Sequence, residues 1–328
     1  MRCLNKTVLI LSEHKTLTLW NTKPGVKMPI SKKWLPVIGL VVLSLIWGYN
    51  WVVVKQALAF CGPFTFGMIR ALIAGAGLFL IAAWLRRPLA PGSLSGALLL
   101  GLLQTTGFFG FSTWALVAGG AGKTAVLVYT MPFWLLVMAW PLLGEKVYGG
   151  WRWFAIGAAF TGLVFLFHPW QEQPDLFSSL LAVLAGLSWA LAGVWNKHLR
   201  SRVQVDLFAL NAWQLTTGAI PLLLIALLLE PEPIIWSPYF IGAVIYNAVF
   251  ATAIAWSLWF FALQEMPAAI AGLGTLATPV LGVLSAWIAL GEVPVPWEIA
   301  GMIFIFSGLA ILSTAGLVTI RKRYIKSE

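Results

Sequence analysis

Residues 132–145 read PFWLLVMAWPLLGE, and residues 279–292 read PVLGVLSAWIALGE. Each stretch begins on a proline, Pro132 or Pro279, and passes six residues to an Ala-Trp pair, Ala139-Trp140 or Ala286-Trp287. Three residues later each closes on Gly-Glu, Gly144-Glu145 or Gly291-Glu292, at a constant offset of 147. Both lie at the same point inside long apolar runs. Chance resemblance between apolar helices accounts for an isolated Trp or Gly match. It does not account for a proline, an Ala-Trp and a Gly-Glu at fixed spacing with the neighbouring segments in register. A duplicated pattern in a membrane chain points to two structural repeats around a central site.

Working outward, the register extends along both halves. Leu45 to Lys55, with Trp47 and Lys55, is answered by Leu187 to Lys197, with Trp189 and Lys197, at an offset of 142. Ala115-Leu116 matches Ala262-Leu263, and Trp151 with Gly162-Leu163 matches Trp297 with Gly308-Leu309. The halves meet in the polar stretch 168–175.

Hydrophobic residues make up 60% of the chain and charged residues 10%, against about 25% charged in soluble domains. So few charges cannot cover a soluble surface, and the bilayer is the chain's first partner. The net charge of +10 does not indicate nucleic acid, because the bases flank apolar runs and so write membrane topology. Cys3 and Cys61 show no disulfide, metal or redox spacing. Gly122-Lys123-Thr124 imitates the end of a phosphate-binding loop, but Val117 stands where that motif needs its first glycine, so no nucleotide site is expected. No metal and no cofactor is expected.

A membrane helix needs about 20 apolar residues. Ten runs qualify: 35–57, 63–85, 94–116, 122–143, 151–168, 176–198, 207–229, 238–262, 269–290 and 297–320. Period-two alternation is missing and the runs are too long for strands, so the fold class is an all-α membrane protein. With both termini cytoplasmic, 18 of the 21 bases fall on the cytoplasmic side, leaving Lys55 and Lys123 outside and Arg70 within a span. That bias places a multi-pass protein in the cell's inner (plasma) membrane with both ends inside. Five spans per half is an odd number, so the second half enters from the opposite side and the repeats are inverted. The expected organisation is a basic extension at 1–33, a first repeat at 34–167, an outer linker at 168–175, a second repeat at 176–321 and a basic tail at 322–328. Met28 opens a short basic lead into the first span, and 1–27 reads as a dispensable extension.

The motif Trp47-Gly48-x-Asn50, with Arg70, Thr130-Met131-Pro132 and both Gly-Glu ends, resembles the EamA type of the drug/metabolite transporter superfamily over about 34–320. That resemblance implies a ten-helix transporter of metabolites or amino acids, often an exporter, without carrying over a cargo. The second half is a looser copy, with Ala192 in place of Asn50 and Ala277 in place of Thr130, which suggests an asymmetric site.

Polar groups in hydrocarbon need a partner or a watery cavity. Trp47 and Asn50 lie one turn apart on one face. Gln104 heads a face with Phe108 and Phe111. Tyr246 and Asn247 begin one that continues to Trp256 and Phe260, and the two faces belong to repeat mates that should oppose across the centre. Pro132 and Pro279 should kink their spans or free carbonyls. Tyr129 and Thr130, and in the other half Thr275 and Thr278, lie within a turn of those kinks. The hydroxyls either line a cavity or satisfy the kinks themselves. The expected substrate-binding residues are Trp47, Asn50, Gln104, Tyr129, Thr130, Tyr246, Asn247 and Trp256. Arg70, Pro132, Glu145, Pro279 and Glu292 are expected in structural or gating roles, with Arg70 snorkelling outward or bonding carbonyls rather than attracting a substrate carboxylate, and the two glutamates acting as latches.

All eleven acids lie at span ends or in loops. With no membrane carboxylate for a cationic drug, the reading is a secondary transporter, not an enzyme, exporting small neutral or zwitterionic metabolites such as amino acids by alternating access. Multidrug efflux is the first alternative. A lipid-linked transferase, which needs clustered carboxylates at one membrane face, is the second. The internal symmetry makes a monomer sufficient and leaves a dimer open.

Overall fold

The computed structural model of the protein describes residues 35–144, 150–167, 175–266, 268–273, 275 and 277–325. Glu145 and linker positions 168–174 lie outside these residues. The described chain is helical throughout. In order it forms α1 (Leu35–Ala57), α2 (Pro63–Trp84), α3 (Leu94–Gly101), a first π-helix (Leu102–Gly107), α4 (Phe108–Ala118), α5 (Ala121–Val128), α6 (Met131–Leu143) and α7 (Trp151–Phe167). There follow α8 (Leu176–Arg202), α9 (Leu207–Leu229), α10 (Pro238–Ile245), a second π-helix (Tyr246–Ile254), α11 (Ala255–Glu265), α12 (Ala268–Leu273), α13 (Ala277–Leu290) and α14 (Pro296–Ile325). Seven segments among the described residues are long and apolar enough to cross a membrane. The runs expected as spans five, nine and ten are helical as α7, α12–α13 and α14 without meeting that measure.

Local chemistry explains the helix ends. Pro63 and Pro238 open α2 and α10 at first-turn positions, where a missing N–H costs nothing. Asp206 caps α9 by accepting from Phe208 N and Ala209 N at 2.9 and 3.2 Å, and Ser93 and Ser237 cap α3 and α10 in the same way. Gly144 and Gly291 close α6 and α13 at φ +67° and +69°, where Cβ-bearing residues are strained. Their N–H groups donate to Trp140 O and Trp287 O at 3.0 and 3.1 Å. The repeated Trp-to-Gly spacing is therefore a helix-terminating device used twice.

The expected kinks at Pro132 and Pro279 are complete breaks. The fourth run divides into α5 and α6 around Tyr129-Thr130, and the ninth into α12 and α13. Each proline then sits in the first turn of the restarted helix, where its lost donor is harmless.

The two halves pack as exchanged copies. α2 lies on its mate α9, and α7 on its mate α14. α5 packs on α13 while α6 packs on α12; the first π-helix lies on α9 while the second lies on α2. Loop contacts sort the chain ends onto two faces. On one, Glu230 accepts from Phe64 N and Thr65 N at 2.7 and 2.8 Å, and Ile235 N donates to Phe60 O at 2.9 Å. Lys123 on that face pairs with Asp175 at 3.2 Å and Glu298 at 3.4 Å. On the other, Arg87 pairs with Asp206 at 2.8 Å and Trp213 Nε1 donates to Leu89 O. α1 runs towards the Glu230 face, whereas α8 starts from it at Asp175, so the repeats are inverted. The perimeter is apolar, with Leu228 81% and Ile288 83% exposed. Such a surface would aggregate in water and is satisfied by lipid.

Candidate functional site

Repeat mates meet at the centre. Trp47 of α1 and Trp189 of α8 pack edge to face at 5.3 Å between ring centres, and Trp256 of α11 completes a triangle at 4.9 Å from Trp47 and 5.6 Å from Trp189. Phe108 packs on Trp189 and Trp256 at 5.2 and 5.4 Å. Phe109, the positional mate of Trp256, lies 6.2 Å from it. Tyr129 closes on Trp189 at 5.4 Å. Tilted and edge-on pairs of this kind each contribute about 0.5–1.5 kcal/mol beyond burial.

Both π-helices serve this cluster. A π-turn displaces the hydrogen-bond ladder, frees carbonyls and recurs at functional sites. Trp47 Nε1 donates to Ala251 O of the second π-helix at 2.8 Å, which orients the indole. Ser188 Oγ, beside Trp189, donates to Leu103 O of the first at 2.7 Å. A Cβ on Gly107 would stand 2.2 Å from Ser188 Oγ, so glycine is what lets α8 approach that turn.

A cavity of about 30 Å³ opens beside the aromatic cluster. From Trp47 its wall climbs α1 through Asn50 and Trp51 to Val54, and on α4 it reaches Ser112, Thr113 and Leu116, towards the Glu230 face. The tryptophan triangle closes it towards the Asp206 face.

Of the expected substrate-binding residues, Trp47, Asn50, Tyr129 and Trp256 line this cavity. Asn247 stands just behind it. Its Oδ1 accepts from Arg70 Nη1 at 3.2 Å, and its Nδ2 donates to Ala243 O. The other three are elsewhere. Thr130 Oγ1 donates to Leu127 O at 2.7 Å and accepts from Trp134 Nε1, so its hydroxyl satisfies the helix break. Thr275 repeats that bond to Gly272 O at 2.8 Å and takes the role that alignment to Ala277 seemed to leave empty. Tyr246 OH donates to Ile46 O at 2.6 Å and its ring stacks on Phe250, away from the cavity. Gln104 is fully buried, and neither amide atom has a partner among the described residues. The π-turn rotates it off the wall that Phe108 and Phe109 occupy, which an α-helical period does not anticipate.

Arg70 does not snorkel. It is 4% exposed and lines the cavity, with its guanidinium carbon 3.6 Å from the centre of the Phe109 ring. Arginine beside a neighbouring-span aromatic finds its contact inward, which overrides the outward reach expected of it. Glu292 accepts from Gly122 N at 3.0 Å at the start of α5. There its charge meets the positive end of a helix. Lys55 and Lys197, matched at the outset, both cap helix ends. Lys55 donates to Leu116 O and Gly119 O at 2.6 and 2.9 Å, and Lys197 to Met266 O at 3.1 Å. Sequence reasoning missed Trp189, Phe109, Ser112 and Thr113 as cavity residues. Trp189 had a signal, because it is Trp47's repeat mate. Among the described residues no His, Cys, Asp and Glu group is placed to hold a metal ion.

The same architecture recurs in known proteins. One solved crystal structure, 18% identical, superposes with a TM-score of 0.63 over 85% of this chain and 97% of its own, which establishes the shared fold. The uncharacterized transporter YoaV of Bacillus subtilis is 31% identical over 261 residues, 78% of this chain and 88% of that protein. A protein of Salmonella typhimurium described as a "probable amino-acid metabolite efflux pump" is 26% identical over 278 residues, 81% of this chain and 91% of its own. The EamA-like transporter family matches residues 34–168 and again 176–314, once for each half. A multi-pass helical membrane protein built twice from that unit, with its central tryptophans contributed by both copies, belongs to the EamA-like transporter family.

Proposed function

We propose that the protein is a secondary transporter that exports a small neutral or zwitterionic metabolite of the amino-acid kind, and that it has no enzymatic step. Residues 34–167 and 176–321 act as two rocking units about the tryptophan triangle, ten crossings in all, with both termini in the cytoplasm and the Glu230 face outside. The observation that carries this reading is a cavity lined by both units at mid-helix. Inverted-repeat transporters place their cargo at that kind of interface. Rocking of one unit against the other would open that cavity to each side of the membrane in turn, as alternating access requires. The efflux-pump description of the Salmonella relative supports the direction and the solute class. Multidrug efflux of cations is disfavoured because no carboxylate among the described residues lines the cavity, and a lipid-linked transferase lacks its acidic cluster among the same residues. A single chain suffices, since both halves of the site come from one molecule.

The test is counterflow of labelled amino acids into proteoliposomes holding the purified chain. Saturable exchange is expected, and Trp47→Ala at equal protein content is expected to lower it about tenfold or more, the equivalent of about 1.4 kcal/mol. Absence of exchange across a broad amino-acid and metabolite panel would remove the reading.

A further inference from the structure

The cavity holds a cation without a counter-ion. Arg70 belongs to none of the ion pairs among the described residues, whose acids stand at helix ends and in loops. Among the described residues its guanidinium donates to the neutral amide of Asn247, and its face rests on Phe109. Neither neutralises a guanidinium. An ionisable side chain buried inside a membrane span points to a functional site, and this one has no acidic partner among the described residues. The residues that line the cavity carry further buried polar atoms without a partner. Arg70 Nε and Trp189 Nε1 are buried donors with no acceptor, and Asn50 Oδ1 is a buried acceptor with no donor, among the described residues.

We infer that this cavity recognises a zwitterion. A carboxylate of the cargo docks on Arg70, with Trp189 Nε1 as a second donor, while an ammonium group donates to Asn50 Oδ1 and the apolar remainder lies on Trp47 and Trp256. Guanidinium offers Nε and Nη hydrogens as a planar fork that suits a carboxylate. The aromatic walls supply apolar surface, and their faces also favour the ammonium end. The inference rests on the transporter reading and adds the polarity of the cargo. It replaces a purely structural role for Arg70, under which removing the charge would disturb folding but not the choice between a carboxylate and its amide.

The experiment is competition against counterflow of labelled leucine and phenylalanine in proteoliposomes. The competitors are each amino acid, its amide, which lacks the carboxylate, and its deaminated acid, which lacks the ammonium. In the unaltered protein the amide is expected to compete about 10- to 100-fold less well than its parent. Arg70→Gln is expected to weaken the amino acid to the level of its amide, and Arg70→Lys to restore part of the preference. Amide and parent competing equally in the unaltered protein would overturn the inference, as would an Arg70→Gln protein that still discriminates between them. The comparison in the unaltered protein needs no variant and decides the matter if Arg70→Gln fails to fold. Labelled amino acids that move without any carboxylate preference would sink this inference alone, whereas no movement at all would sink the transporter reading with it.

Discussion

Single residues in this protein are constrained by what reaches them from the other half. Gly62 precedes α2 and offers it no side-chain cap, so the first N–H groups of that helix bond to Glu230 from a distant loop. A Cβ at position 62 would lie 2.1 Å from Glu230 Cδ. Gly62→Ala is therefore expected to displace the capping carboxylate and destabilise the protein by about 1–3 kcal/mol, read as a lower thermal midpoint in detergent. Cys61 stands beside the same group. Burial, and then the charge of Glu230, push its thiol up to about 12. At about pH 8 roughly one such thiol in ten thousand is ionised, against about a quarter of ordinary cysteines. In a Cys3→Ser background, Cys61 should accordingly react with maleimide more than about a hundredfold more slowly than a free thiol, speeding up as pH rises towards 12. Glu230→Gln should help only in part, because burial is the larger cause.

At the scale of helices, the repeated motif is a pair of instructions: start at proline, stop at glycine. Nothing lies within 4 Å of a Cβ added to Gly291, so substitution there meets only the left-handed backbone and no neighbour. Gly291→Ala is expected to cost about 1 kcal/mol, and Gly291→Asn distinctly less, since asparagine tolerates that conformation. Thermal unfolding of the two variants side by side checks this. An equal loss for both would mean that something other than backbone conformation matters at the position. The broken runs were legible as apolar stretches containing a proline, but not as breaks. A proline kinks a helix or restarts one according to how the backbone around it is satisfied, and at these two breaks Thr130 Oγ1 donates to Leu127 O and Thr275 Oγ1 to Gly272 O. The two π-helices left no mark in the hydrophobic pattern. Their carbonyls accept from side chains of distant elements: Leu103 O of the first from Ser188 of α8 and Ala251 O of the second from Trp47 of α1, 85 and 204 residues away in sequence.

For the whole molecule, inversion is the property on which transport depends. Two units that face opposite ways can expose one site to each side of a membrane by the same motion. The faces are held by different chemistry. Lys123, Asp175, Glu298 and Glu292 join the starts of α5, α8 and α14 at one, and Arg87 with Asp206 joins α2 to α9 at the other. A protease-accessible tag in the 168–175 linker and another after the carboxyl end should report opposite sides of the membrane, the second in the cytoplasm. Tags reporting one compartment would contradict the inverted threading.

Much of this was written along the chain. Apolar runs, flanking bases and a pattern repeated at 147 residues were enough for the helices, the membrane, the doubling and its inversion, because hydropathy and charge act locally and add up along a segment. They also pointed to Trp47, Asn50, Tyr129 and Trp256, which line the cavity. Packing alone decided that Arg70 points inward, that Trp189 joins the wall, and that Gln104 and Tyr246 leave it. Which way a side chain faces depends on the helix that lies across from it and on a π-turn's added residue. Both are settled only when the two halves close on each other.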